Sequence, residues 1–197
     1  MLEMVLERNG KKVSLISILK KNKVTVRTVS AINRTKYRLA TMISPVLCTK
    51  MRYKAAFGKK LDLDNPKTLN EKLLWLKLNR YMKNPLIIQC ADKAAVREYV
   101  KSCGCEDILI DIYGIYDRAE DIPWDDLPNQ FVLKWNFGAG MNIVCTDKSK
   151  MDKAAIISQM KKWGKQKYWL DFAEMQYKYC EKKIVCEKLL GSEEMEA

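Results

Sequence analysis

Residues 131–145, FVLKWNFGAGMNIVC, are the most constraining stretch of the chain. Phe131–Trp135 is a strand-forming run that carries one cation, Lys134, and Asn142–Cys145 is a second apolar run. Between them lies Phe137-Gly138-Ala139-Gly140. β-Branched and aromatic residues suit a pleated, half-buried surface, and glycine admits the positive φ of a tight reversal. Two readings of the loop follow. It is the bend of a hairpin, or it is a cradle whose backbone N–H groups face a phosphate. A hairpin loop can also be the cradle, so the rest of the chain has to decide.

With 197 residues, 48% apolar and 30% charged, the chain has room for one folded domain or part of a larger one. It has no histidine, which excludes Ser-His-Asp and Cys-His catalysis. Seven cysteines are an odd number, and only Cys103 and Cys105 are close, so reduced and mostly buried thiols are expected rather than disulfides or zinc. The start, Met1-Leu2-Glu3-Met4, lacks the pattern of a signal peptide, and the uncharged stretch Leu39–Thr49 is too short to span a bilayer. A cytoplasmic protein is expected.

Charge is unevenly spread. From Arg8 to Leu61 there are fifteen Lys or Arg and no Asp or Glu, whereas residues 62–197 sum to −1. The organisation expected is therefore a basic, mainly helical region over 1–61 and a nearly neutral domain over 62–197. Residues 8–61 suit an anionic polysaccharide or the inner membrane surface, or else form a solvated basic helical face. Nucleic acid is disfavoured, because only Tyr37 and Tyr53 interleave the basic residues.

Helix is expected over Arg34–Met42 and over Val46–Phe57, separated by Ser44-Pro45 and ended by Gly58; Val24–Val29 reads as strand or helix. Thr68 and Glu71 form a capping box ahead of an apolar helix reaching about Met82. Further helices are expected over Ala91–Ser102 and Asp152–Gly164, and in part over Tyr168–Tyr179. Strands are expected over Ile108–Tyr116, Phe131–Trp135, Asn142–Cys145 and Ile184–Leu190. Asp117–Gln130 reads as an acidic connector.

Three segments, Asn65–Lys77, Ala91–Val100 and Leu127–Lys134, together resemble the teichuronopeptide-biosynthesis (TupA-like) ATP-grasp family, with the likeness running from about Leu47 to Leu190. The resemblance implies an α/β (α+β) ATP-grasp-like fold with a small lid around Lys134. It implies that ATP is held by Lys93 and Lys134 on the phosphates and by Gly138, Ala139 and Gly140 as the closing loop. Glu187 would lie near the adenine amino group, with the backbone of Lys188 and Leu189 along the ring edge. On that basis the glycine loop reads as a phosphate cradle.

The chain departs from the family pattern at two places. Asn136 is followed by Phe137, not by histidine and a Gly-Ser-Gly-Gly-like run, so a hydroxyl donor is lost. The Mg²⁺ ligands of ATP-grasp enzymes lie beyond the hinge, where this sequence has only Glu193, Glu194 and Glu196 before Ala197. The sequence therefore reads as an incomplete ATP-grasp fold, with no catalytic or metal-binding residue assigned. The function implied is an ATP-dependent carboxylate–amine ligase acting on a cell-surface polysaccharide through an acyl-phosphate. Two alternatives stay open: a non-catalytic nucleotide-binding protein, and a glycosyltransferase-like role in capsular or exopolysaccharide synthesis, which would call for an Asp-x-Asp on a strand end, where none of the expected strands carries one.

Overall fold

The computed structural model describes residues 5–8, 11–14 and 23–191. The acidic tail with Glu193, Glu194 and Glu196 lies outside the described residues. Strands β1 (Val5–Arg8) and β2 (Lys11–Ser14) pair as an antiparallel hairpin, which the reading of this region as mainly helical did not include. Helices α1 (Lys23–Ile43) and α2 (Pro45–Phe57) follow, and they settle Val24–Val29 as helix. The break falls at Ser44, whose side chain caps α2 by accepting from Leu47 N–H, and Gly58 ends α2 at φ 72°.

The Thr68–Glu71 box opens α3 (Leu69–Leu76), which continues as a π-helical turn over Lys77–Tyr81. Glu71 Oε2 accepts from Lys67 N–H and Thr68 N–H, and Oε1 accepts from the Tyr53 hydroxyl of α2. The Thr68 N–H, then the Tyr53 hydroxyl, outweigh burial and hold the Glu71 carboxyl at about 2. A local cap thus becomes the bolt between α2 and α3.

The helix expected over Ala91–Ser102 begins only at Val96, as α5 (Val96–Ser102), and a helix that was not expected, α4 (Pro85–Ala91), precedes it. Asp92 separates them: its backbone is extended, and its Oδ1 accepts from Ala94 N–H and Ala95 N–H. An aspartate offering its own turn in place of helix continuation is the local cause.

Strand β3 is shorter than expected, Ile112–Tyr116, while β4 (Phe131–Trp135) and β5 (Asn142–Cys145) fall where the sequence put them. Helices α6 (Lys153–Gly164, capped by Asp152) and α7 (Trp169–Phe172) lead to β6 (Ile184–Glu187). The four strands form one antiparallel sheet in the order β3-β6-β4-β5. Helices with a purely antiparallel sheet make the domain α+β.

Alternation divides the sheet into two faces. Phe131, Leu133 and Trp135 of β4, with Ile184 and Cys186 of β6, face the core beneath Met160, Ile156 and Ile157 of α6. The acidic connector contributes Ala119, Ile122, Trp124 and Leu127 to that core, so it is a packed wall and not a solvated loop. The intervening positions of β4 and β6, Lys134 and Glu187 among them, point to the other face.

All seven cysteines are free. Only Cys48, Cys145 and Cys186 are buried, fewer than expected, and Cys90 and Cys103 are exposed. Among the described residues no helix is long and apolar enough to cross a membrane.

Candidate functional site

The register of the sheet brings the first pair together. Val132 lies opposite Glu187 and Lys134 opposite Val185, so Lys134 and Glu187 are diagonal neighbours on one face. Lys134 Nζ donates to Glu187 Oε1 in an ion pair that is largely shielded from solvent on the Glu187 side.

Lys93 reaches the same place from the turn after α4. Its Nζ donates to the Gly138 carbonyl at 2.7 Å and to the Asn136 carbonyl at 3.4 Å, and its backbone N–H donates to Asn136 O at 3.1 Å. Burial, and then the positive charge of Lys134, push the Lys93 ammonium below its ordinary range. The carboxylates of Asp92 and Glu187 act the other way but do not outweigh these causes. An anion seated there would stabilise the charged Lys93 ammonium.

Asn136 is the anchor, and the sequence reading assigned it no role. Its side chain is fully buried. Its Nδ2 donates to Asp92 Oδ2 at 2.7 Å and to the Glu181 carbonyl at 2.6 Å, and its Oδ1 accepts from Lys183 N–H at 2.9 Å. One amide therefore fixes the Lys93 turn, the end of β4 and the approach to β6 against one another. The signal available in the sequence was Asp92-Lys93, a turn-forming acid beside the candidate cation.

The glycine loop is the reversal of the β4–β5 hairpin, closed by Trp135 N–H donating to Met141 O at 3.1 Å. Gly138 (φ 71°) is buried against Tyr168, while Ala139 and Gly140 (φ 73°) are exposed. The loop is therefore held at its base and open at its tip. A Cβ at Gly138 would lie 2.5 Å from the Tyr168 ring, whereas one at Gly140 meets nothing within 4 Å. Both substitutions to alanine carry the positive-φ penalty, about 1–2 kcal/mol. Gly138→Ala is expected to destabilise clearly more than Gly140→Ala in paired thermal melts, because only it must also displace the tyrosine; equal losses would mean that the ring is not fixed.

The remaining expected residues lie at the end of β6. Lys188 N–H donates to the Asp111 carbonyl at 2.9 Å, and Leu189 is half-buried beside it. A surface cavity of about 350 Å³ shares no residue with the lysine site; Glu120, Asp125 and Asp126 line it, an electrostatic environment hostile to a triphosphate. Among the described residues no group of three or more His, Cys, Asp or Glu side chains is placed to hold a metal ion, so the residues do not fit a magnesium site.

Lys134 on β4 and Lys93 on the turn after α4 thus lie beside the glycine hairpin, the first paired with Glu187 and the second with the Gly138 carbonyl. A family model described as TupA-like ATPgrasp matches residues 71–196, and the chain belongs to that family. Comparisons with curated proteins and with solved structures gave no significant match.

Proposed function

We propose that the chain binds ATP at the Lys93–Lys134 site and acts as an ATP-dependent carboxylate–amine ligase in the assembly of a cell-surface polysaccharide of the teichuronopeptide type. The observation that carries the reading is the convergence of Lys93, Lys134 and the base of the glycine hairpin on one side of the sheet. In this reading the lysines hold the phosphates, and each charge-assisted contact contributes about 1.5–3 kcal/mol. A carboxylate oxygen takes the γ-phosphoryl group of ATP with release of ADP, and an amine then attacks the acyl carbon and expels phosphate to leave an amide. The chain's own part is positioning and charge: Asn136 orients the Lys93 turn, and Glu187 holds Lys134 extended until phosphate competes for it. An anionic acceptor glycan is supported by the exposed Lys50, Lys54, Lys59 and Lys60, which follow one another with no acid between them.

The test is a thermal melt with and without MgATP on the wild-type chain, Lys134→Ala and Lys93→Ala. At a hundred times Kd the wild type is expected to gain about 2.7 kcal/mol. That is a midpoint rise of roughly 5–10 °C for a chain of this size. Both variants should melt cooperatively and lose the rise. A rise that survives Lys134→Ala would place the nucleotide elsewhere, and no rise in the wild type would remove the nucleotide-binding reading.

A further inference from the structure

Helix α1 has two faces, and among the described residues only one of them is packed against the rest of the chain. The inward face docks on α7: Arg34 and Arg38 bind Asp171, and Thr41 Oγ1 donates to the Leu170 carbonyl at 2.9 Å. Ala40 packs on Cys48 of α2 and Ala173. The outward face carries Val29, Ile32, Lys36, Leu39 and Ile43, spaced three and four apart so that they form one stripe along the helix. Met42 widens the stripe. Ile32 is 63% exposed, Met42 67% and Ile43 77%, and Leu47 at the start of α2 continues the patch. An apolar stripe this open on a soluble face needs an occupant.

Charge chooses among the occupants. From Lys23 to Phe57 no acidic residue is present, and Lys36, Lys50 and Lys54 stand exposed around the patch. A second copy would set one basic helix against another with no carboxylate to pair them, which is repulsive. A soluble anionic glycan satisfies the cations but offers no apolar layer for Ile32, Leu39 and Ile43. An anionic bilayer supplies both, acyl chains for the stripe and headgroups for lysines whose stems can lie along it. We propose that the outward face of α1 rests on an anionic lipid surface, with Ile32, Leu39, Met42 and Ile43 in the acyl boundary and Lys36 reaching up to the headgroups.

The proposal is independent of the ligase reading, and vesicle flotation of the full chain tests it. Phosphatidylglycerol–phosphatidylcholine vesicles should bind the protein, and pure phosphatidylcholine vesicles should bind it much less. The charge-neutral double variant Ile32→Ser/Ile43→Ser should lose at least about tenfold in vesicle affinity while keeping its melting midpoint and its response to MgATP. Were the double variant to lose cooperative melting, Met42→Ser, on a side chain exposed to the same degree, carries the same comparison. Polygalacturonate, which has charge and no acyl layer, should bind wild type and variant alike. Unchanged vesicle affinity in the serine variant would overturn the proposal, as would equal loss on polygalacturonate. A dimer in sedimentation velocity that disappears in the serine variant would assign the stripe to a second copy instead.

Discussion

Asn136→Ala is expected to lower stability by about 4 kcal/mol, a fall in midpoint of roughly 8–16 °C for a chain of this length. The size follows from what the deletion strands. Asp92 Oδ2, the Glu181 carbonyl and the Lys183 N–H each lose their Asn136 partner, in a place where the amide is fully buried. A buried polar group left without a partner costs about 1–3 kcal/mol, and the vacated volume adds to that. Asn136→Asp provides the sharper comparison. It keeps the shape and the acceptor for Lys183 N–H but sets a second carboxylate against Asp92. Two such carboxylates ionise with difficulty, so one folded-state pKa rises above its unfolded value. Stability of that variant should therefore increase as pH falls from neutrality towards the carboxylate range, opposite to the usual acid loss. Thermal melts across pH measure it. An Asn136→Asp chain whose stability does not change over that range would mean that the two side chains are not in contact.

The second large effect is expected from Asp171→Ala, at about 2–3 kcal/mol. Arg34 Nη2 meets Asp171 Oδ2 at 2.7 Å, and Arg38 Nε meets Oδ1 at 2.6 Å. Arg52 donates to the Asp171 carbonyl, and its guanidinium lies between the rings of Tyr37 (4.1 Å) and Phe172 (4.2 Å). The Asp171 side chain is only 8% exposed, whereas Arg34 is 48% exposed and can return to water, which holds the cost to the lower part of the range for broken buried pairs. Burial alone would push the Asp171 carboxyl up, but the hydrogen bonds and charges of Arg34 and Arg38 outweigh it and hold the group below its ordinary value. The pair's contribution is thus complete above the unfolded carboxylate pKa, about 4, and is lost as pH falls through the depressed folded value. Limited proteolysis should cut α1 faster in Asp171→Ala than in the wild type at neutral pH, and the difference should shrink in strong acid. Equal cutting rates at neutral pH would show that the arginines do not hold the helix.

This pair also changes the meaning of the basic quarter. Read as a sequence, residues 8–61 are a uniform positive field. In the fold, Arg34, Arg38 and Arg52 are committed to α7, while among the described residues Lys36, Lys50, Lys54, Lys59 and Lys60 are exposed. The cations therefore divide into a structural set and a set available to a partner.

Local rules account for what was legible in the chain. Ser44 and Gly58 around α2, the Thr68–Glu71 box, Asp152 ahead of α6, and strands β4 and β5 all depend on residues within a few positions of one another, and all appear where the sequence puts them. The resemblance also singled out Lys93 and Lys134, and the fold sets Lys93 against Gly138 and Lys134 against Glu187. The late start of α5 at Val96 was not legible, because helical propensity favours continuity while Asp92 is held by Asn136, 44 residues away. Nor was the burial of Trp124, whose acidic neighbours disguise a core position.

The sequence by itself determined most of the helices, the caps at Ser44, Thr68 and Asp152, the two strands around the glycine loop and the family, since these are set by spacing and side-chain chemistry along the chain. Only the tertiary structure decided that β6 lies between β3 and β4, that Lys134 therefore faces Glu187, and that α1 spends one face on Asp171 and leaves the other open. Each of those is a pairing between residues more than fifty positions apart, and no local preference specifies which distant partner a charged or apolar group will meet.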